Sequence, residues 1–144
     1  MTKEKIAATY NVAMKILLKK GNKVLLLKYF SDGLTDLPGG RIDNNEYDLP
    51  IEKIIKREVQ EELGKNLKYK LGKPAFQFRR YFKKTGHRIF ITVYEAKYIS
   101  GNIKLSREHN DYEWVDPKKV RATQKSFTGK EEYLAFKNYF KTLV

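Results

Sequence analysis

The stretch IEKIIKREVQEELG, residues 51–64, constrains the fold more than any other part of the chain, because it combines helical periodicity with a cluster of carboxylates. Its apolar side chains fall on one arc of a helix that turns by roughly 100° per residue. They are Ile51, Ile54, Ile55 and Val59. Glu58 and Glu62 lie inside the same arc, and Glu61 lies at its margin. The face that begins apolar therefore ends in two carboxylates one turn apart.

This arrangement of carboxylates is unfavourable by itself. Like charges one turn apart repel, and acidic residues near a helix C-terminus oppose the helix macrodipole. Partial burial raises the cost further, unless the carboxylates are protonated or share a cation, and hard cations such as Mg²⁺ or Mn²⁺ prefer oxygen ligands. The alternative interpretation is a solvated acidic face in which Arg57 pairs with Glu61 one turn later.

The remaining sequence predicts a β-sheet and a second helix. The predicted strands are residues 10–20, 23–30, 73–82, 87–98 and 112–115, and the predicted helix is residues 129–144. Gly21-Asn22 between the first two strands is typical of a hairpin, and the third and fourth strands form a second predicted hairpin. The aromatic residues of the last helix recur at helical spacing, which predicts that they face the core. Because the strand at 87–98 is apolar on both faces, the sheet is expected to be covered on both sides.

Turn-forming residues are concentrated between the first hairpin and the carboxylate-bearing helix. Residues 31–40 place Pro38 ahead of two glycines, which predicts an irregular backbone that can approach a ligand closely. Asp48 is predicted to cap the helix, with Pro50 in its first turn, and Gly64 to end it. The carboxylates therefore lie near the C-terminal end of a helix of about four turns.

Length and charge set limits on the class of protein. With 144 residues, of which 41% are hydrophobic, the chain is expected to form one domain over residues 1–144. The formal charge of +13 is distributed along the chain, so it favours polyanions such as nucleic acid or phosphorylated small molecules, and it also fits a solvated surface with no partner. The chain has no cysteine and no long apolar segment, which indicates a cytoplasmic protein without a membrane partner.

Read from Gly40, the sequence GRIDNNEYDLPIEKIIKREVQEELG resembles the signature of the Nudix hydrolase family. That signature runs Gly, five residues, Glu, a spacer, Arg-Glu, a hydrophobic residue, any residue, Glu-Glu, any residue, Gly. The matching positions are Gly40, Glu46, Arg57, Glu58, Val59, Glu61, Glu62 and Gly64. Two features depart from it: ten residues instead of the usual seven separate Glu46 from Arg57, and Lys65 replaces a hydrophobic residue. The longer spacer is accommodated if YDLP lies in a loop before the helix.

The resemblance implies an α/β fold over about residues 8–142, namely an α/β/α sandwich with a mixed β-sheet between helices. It also implies a divalent cation, Mg²⁺ or Mn²⁺, bound by Glu58 and Glu62 with help from Glu61 and the carbonyl of Gly40. The implied reaction is hydrolysis of a phosphoanhydride bond in a nucleoside diphosphate-linked compound, such as a nucleoside triphosphate or a dinucleoside polyphosphate.

Further residues receive roles from the same resemblance. Arg57 is expected to orient Glu61 and Glu46 instead of contacting substrate. Glu61 and Glu108 are rival candidates for the general base, because the family varies in this assignment. His109, next to Glu108, is interpreted as ordinary loop surface.

The sequence constrains the substrate less strongly. Arg79, Arg80 and Tyr81 lie on a hairpin rich in basic residues, where they are candidates to hold phosphates and stack a base, although a solvated hairpin explains them equally well. Tyr81 also lies near the position of a Tyr that is typical of diadenosine polyphosphate hydrolases. RNA binding or RNA 5′-end processing and a non-catalytic nucleotide sensor are the alternatives, and a dimer is left open.

Overall fold

The computed structural model describes residues 4–29, 33–120 and 122–143, and in these ranges a seven-stranded mixed sheet lies between two α-helices. The strands are β1 (Asn11–Lys20), β2 (Lys23–Tyr29), β3 (Thr35–Asp36), β4 (Gly39–Arg41), β5 (Lys68–Phe82), β6 (His87–Ser100) and β7 (His109–Val115), and the helices are α1 (Ile51–Leu63) and α2 (Lys130–Thr142), with 3₁₀ turns at Asn44–Glu46 and Gln124–Ser126. Residues 30–32 and 144 belong to predicted segments but lie outside the described residues. Neither α-helix in the described ranges combines the length and the apolar character needed to cross a membrane.

Both predicted hairpins are confirmed. β1 and β2 pair antiparallel across Gly21-Asn22, with Lys20 opposite Lys23, and β5 and β6 pair antiparallel across the second turn. β1 also pairs in parallel with β6, from Asn11 to Lys19. This parallel ladder makes the sheet mixed. The strand order is β3-β2-β1-β6-β5, with β4 beside β1 and β7 beside β2.

The two helices cover opposite faces of the sheet, and β1 contributes apolar side chains to both faces. Ala13 and Leu17 point to the cluster that contains Phe136 of α2, while alternate residues such as Met14 point to the cluster that contains Ile55 of α1. Complete burial of each Leu, Ile or Phe side chain contributes about 1.5–3 kcal/mol. The arrangement confirms the predicted α/β/α sandwich.

Two local predictions are wrong. Asp48 does not cap α1: it is exposed, and the N-cap position is held by Pro50, whose φ of −57° already suits a helix start. The segment before the helix is also more regular than predicted, because β3 and β4 form within it. Gly39 in β4 has a φ of +135°, and a Cβ there would overlap the carbonyl oxygen of Met14. Glycine is therefore required where β4 passes β1.

Candidate active site

A cleft of about 620 Å³ lies where α1, β4 and the loops before β7 meet the strands of the sheet. The helix and the loops contribute Arg57 and five carboxylates, which we call the acidic wall: Asp43, Glu58, Glu61, Glu62 and Glu108. The strands contribute apolar and aromatic residues, namely Ala13, Tyr29, Phe82, Ile89 and Ile91, and also the charged residues Lys15, Asp36, Arg41 and Arg80. The cleft therefore offers carboxylates, cations and apolar surface to one ligand.

The three carboxylates of α1 differ in exposure as the helical periodicity predicts. The side chain of Glu62 is buried, that of Glu58 is 13% exposed, and that of Glu61 is 59% exposed. The backbone N–H of Gly39 donates a hydrogen bond of 2.9 Å to Glu62 Oε2. Burial raises the pKa of Glu62 to about 7, and the nearby charge of Lys15 offsets only part of this effect. The positive charge around this carboxylate is therefore too small to offset the effect of its burial.

Glu58 lies against the backbone of β4. Burial raises its pKa, although Arg57 opposes the shift through an ion pair of 2.9 Å between Nη1 and Glu58 Oε1. A Cβ added at Gly40 would lie 2.7 Å from Glu58 Cδ, closer than such atoms approach one another. Gly40 therefore leaves the space in which the Glu58 carboxylate sits.

Glu46 keeps its place beside Arg57 despite the longer spacer. Arg57 donates to Glu46 from Nε over 2.7 Å and from Nη2 over 2.5 Å, and the backbone N–H of Asp43 donates to Glu46 Oε1 over 2.9 Å. These bonds from Arg57 are the main reason that the pKa of Glu46 is lowered. Arg57 Nη1 also lies 3.2 Å from both carboxylate oxygens of Glu61. The extra spacer residues are taken up in the exposed segment 47–50.

A buried charge network lies beside the acidic wall, and sequence reasoning missed most of it. Asp36 in β3 accepts hydrogen bonds from Lys15 Nζ over 3.2 Å and from Arg80 Nη2 over 3.1 Å. Arg80 also donates to Glu132 of α2, over 2.5 Å from Nε and 2.9 Å from Nη2. Burial alone would raise the pKa of Asp36, but the adjacent Lys15 and the hydrogen bond from His109 hold it well below its usual range. The only sequence signal for this network is a charged residue within an apolar strand, as at Lys15.

The three hairpin residues predicted to bind substrate all line a second cavity of about 330 Å³, in which Arg79 pairs with Glu131 at 2.7 Å. Of the three, Arg80 also lines the cleft, but its guanidinium is engaged by Glu132 and Asp36. Tyr81 is exposed, with the Arg88 guanidinium 5.6 Å from its ring centroid. The structure thus places only Arg80 beside the carboxylates.

Glu108 directly precedes β7, and His109 is the first residue of that strand. Glu108 is exposed and lines the cleft. The interpretation of His109 as loop surface is wrong, because the residue is 2% exposed, lies in the strand and stacks on Tyr29 with ring centroids 5.0 Å apart. Its polar neighbours in HND are typical of a turn, so the sequence carried no signal of burial.

The donor set of the cleft fits a hard divalent cation. Glu58, Glu61, Glu62 and Glu108 all line the cleft with carboxylate oxygens, which is the ligand chemistry of Mg²⁺ and Mn²⁺. Among the described residues, Glu62 and Glu108 have ligand atoms within 4.8 Å of each other, whereas Glu58 and Glu61 do not belong to that cluster. Burial raises the pKa of both Glu58 and Glu62, so a bound cation would relieve an existing excess of negative charge.

Comparisons with known proteins identify the domain and the fold. The NUDIX domain model matches residues 9–136. Similar solved structures include a MutT protein from Methanosarcina mazei Go1, which is 25% identical, with a TM-score of 0.72 and 96% of each chain covered. A UDP-X diphosphatase is 15% identical, with a TM-score of 0.67 over 96% of this chain and 66% of the other. An ADP-ribose pyrophosphatase from Streptococcus suis 89-1591 is 19% identical, with a TM-score of 0.62 over 93% of this chain and 92% of the other. No curated protein matches the sequence.

The fold and the carboxylate-lined cleft define an enzyme of the pyrophosphohydrolase class. Because the domain match spans most of its length, the chain belongs to the Nudix family.

Proposed function

We propose that the protein hydrolyses a phosphoanhydride bond in a nucleoside diphosphate-linked compound, with Mg²⁺ or Mn²⁺ held by Glu58 and Glu62 and supported by Glu61 and the Gly40 carbonyl. The observation that carries the proposal is a single cleft lined by the acidic wall and by apolar residues of the strands. The carboxylates would hold a divalent cation for a pyrophosphate group, and the apolar residues suit a nucleoside. Two similar structures are named for nucleoside diphosphate compounds, UDP-X and ADP-ribose.

When bound, the cation supplies a Lewis acid for the pyrophosphate oxygens and lowers the pKa of the attacking water. The protein's own residues hold the geometry. Arg57 fixes Glu61 and is itself held by Glu46, so it acts as a positioning residue. The carboxylate of Glu61 or of Glu108 accepts a proton from the water, since both line the cleft and neither is buried.

A phosphate-release screen tests this proposal. Purified protein with Mg²⁺ or Mn²⁺ is assayed on nucleoside triphosphates, dinucleoside polyphosphates, nucleotide sugars and capped RNA. We expect turnover of at least one class by the wild type and its loss in Glu62→Gln. Glu52→Gln is the matched control, because Glu52 is an exposed carboxylate in the first turn of the same helix. Absence of turnover across the panel, or equal turnover in Glu62→Gln, would contradict the proposal.

RNA is the alternative substrate, favoured by the formal charge of +13 and by the exposed cations of the β5–β6 hairpin. Capped RNA in the panel addresses it directly. RNA binding that weakens steeply with salt and survives Glu58→Gln would support an RNA-binding role, whereas no binding at low salt would exclude it. A non-catalytic sensor is disfavoured, because the complete set of carboxylates is retained around the cleft.

A further inference from the structure

His109 is a buried imidazole with only one of its nitrogens satisfied. Its side chain is 0% exposed, and Nε2 lies 2.9 Å from Asp36 Oδ2. Nδ1 is buried and has no hydrogen-bond partner among the described residues. Leaving a buried polar atom unpaired costs about 1–3 kcal/mol. An unpaired nitrogen in a side chain this completely buried indicates that a partner belongs there.

The neighbours of Asp36 determine which nitrogen of His109 carries the proton. Asp36 also accepts from Lys15 and Arg80, so it is an ionised acceptor with no proton to donate. The hydrogen bond to His109 therefore places N–H at Nε2, and a neutral ring presents its lone pair at Nδ1. A carboxylate that fixes a histidine in this way is the usual support of a metal-ligating imidazole.

The ring lies next to two carboxylates of the cleft. One ligand atom from each of Glu62, Glu108 and His109 lies within 4.8 Å of the other two. Glu62 comes from α1, whereas Glu108 and His109 come from the start of β7, so two separate elements bring the three groups together. Because Nε2 is engaged by Asp36, Nδ1 is the nitrogen left to coordinate a cation.

We propose that Glu62, Glu108 and His109 Nδ1 form a mixed nitrogen and oxygen site for a divalent first-row transition ion. The imidazole gives this position a preference for Co²⁺ and the later first-row ions over Mg²⁺, which favours oxygen ligands. Mn²⁺ binds such sites more weakly, and it serves here as the paramagnetic probe. The inference shares Glu62 and Glu108 with the proposed hydrolase site and rests on it to that extent: with Glu108 on the cation, Glu61 is the proton acceptor. It concerns binding and is tested without substrate.

Pulsed electron paramagnetic resonance on Mn²⁺ tests the inference, since it detects hyperfine coupling from a ligating imidazole nitrogen. Untagged protein is measured with one and with two equivalents of Mn²⁺. The chain has two histidines, and His87 is exposed at the start of β6, so His87→Gln is the matched control. We expect nitrogen coupling in the wild type and in His87→Gln, and none in His109→Gln. The Gln amide can still donate to Asp36, which helps the variant to fold.

Affinity gives a second readout. In His109→Gln, Co²⁺ binding measured by calorimetry is expected to weaken by roughly tenfold or more. Loss of a ligand should cost at least as much affinity as loss of a residue that only supports a ligand. Mg²⁺ binding should change little. No nitrogen coupling in the wild type, or its loss in His87→Gln, would overturn the inference. The wild type and His87→Gln are sufficient to test the inference even if His109→Gln fails to fold. Hydrolysis with Mg²⁺ but without nitrogen coupling would leave the proposed function standing and remove this site.

Discussion

Replacing Glu62 by Gln is expected to stabilise the metal-free protein at pH 8. The carboxylate is buried, and its pKa is raised by burial from an ordinary value of 4.5 to about 7. Ionised Glu62 is therefore less favourable in the folded protein than in the unfolded chain. Gln has no charge to bury, and its amide oxygen can still accept the hydrogen bond that Gly39 donates. The substitution therefore removes the free-energy cost of burying a charged carboxylate at this position.

The expected gain follows from the size of the pKa change. At about 1.4 kcal/mol for each tenfold change in proton affinity, a rise from 4.5 to about 7 corresponds to about 3 kcal/mol. The folded protein binds this proton more tightly than the unfolded chain does. The stabilising contribution of the proton is therefore complete below pH 4.5 and is lost as pH rises to about 7. Glu62→Gln should consequently resemble the wild type below pH 4.5 and exceed it by up to about 3 kcal/mol at pH 8.

Urea unfolding in EDTA measures this difference in the free energy of unfolding. Trp114 is the only tryptophan, and it packs against Tyr98 with ring centroids 5.9 Å apart, so its fluorescence reports the transition. Saturating Mn²⁺ should reverse the order of stability, because the cation binds the folded wild type and stabilises it by mass action. Glu61→Gln serves as the control, since Glu61 is on the same helix but exposed.

Two results would refute the reasoning about Glu62. One is a Glu62→Gln variant that is less stable than the wild type in EDTA at pH 8 while its fold is intact. The other is a stability difference between the two proteins that does not change with pH. Either result would mean that burial of the charged carboxylate does not dominate the effect of Glu62 on the free energy of unfolding.

Three further outcomes are expected. Gly40→Ala should lower kcat by roughly 100-fold, because its Cβ displaces the Glu58 carboxylate, and unchanged kinetics in a folded variant would argue against that role. Glu132→Ala should destabilise the protein by about 3 kcal/mol in urea unfolding, because the buried Arg80 guanidinium loses both hydrogen bonds to this side chain. The exposed neighbour change Glu131→Ala should cost much less, and equal losses would contradict the argument. Chelation by EDTA should abolish hydrolysis and added Mg²⁺ or Mn²⁺ should restore it, so that chelator-resistant turnover would exclude the metal role.

Local periodicity was sufficient to predict the parts of the site that lie on one element. The spacing of Glu58, Glu61 and Glu62 on α1 already determined which carboxylate is buried and which is exposed. Both hairpins followed from their turns for the same reason, since strands that are adjacent in sequence pair with little ambiguity. These features depend on interactions between residues that are close in the chain.

The parts that sequence reasoning missed depend on distant strands meeting in space. Asp36 and His109 are 73 residues apart, and they meet because β3 and β7 both pair with β2. Asp36 lies in a turn-rich segment, and His109 lies beside Asn110. Neither position therefore carries a sequence signal of burial. Only the sheet order, which no single segment encodes, makes them buried partners.

The two-point attachment of Arg57 to Glu46 has a consequence for how such sites can change over time. The ion pair fixes both ends of the segment between them, while residues 47–50 remain exposed on the surface. The length of that segment is thus free to vary without displacing the carboxylates of α1. A sequence pattern that demands a fixed interval between the first glutamate and the arginine would overlook chains like this one. The same exposed segment is a suitable position at which to insert a peptide label, because both of its ends are already held.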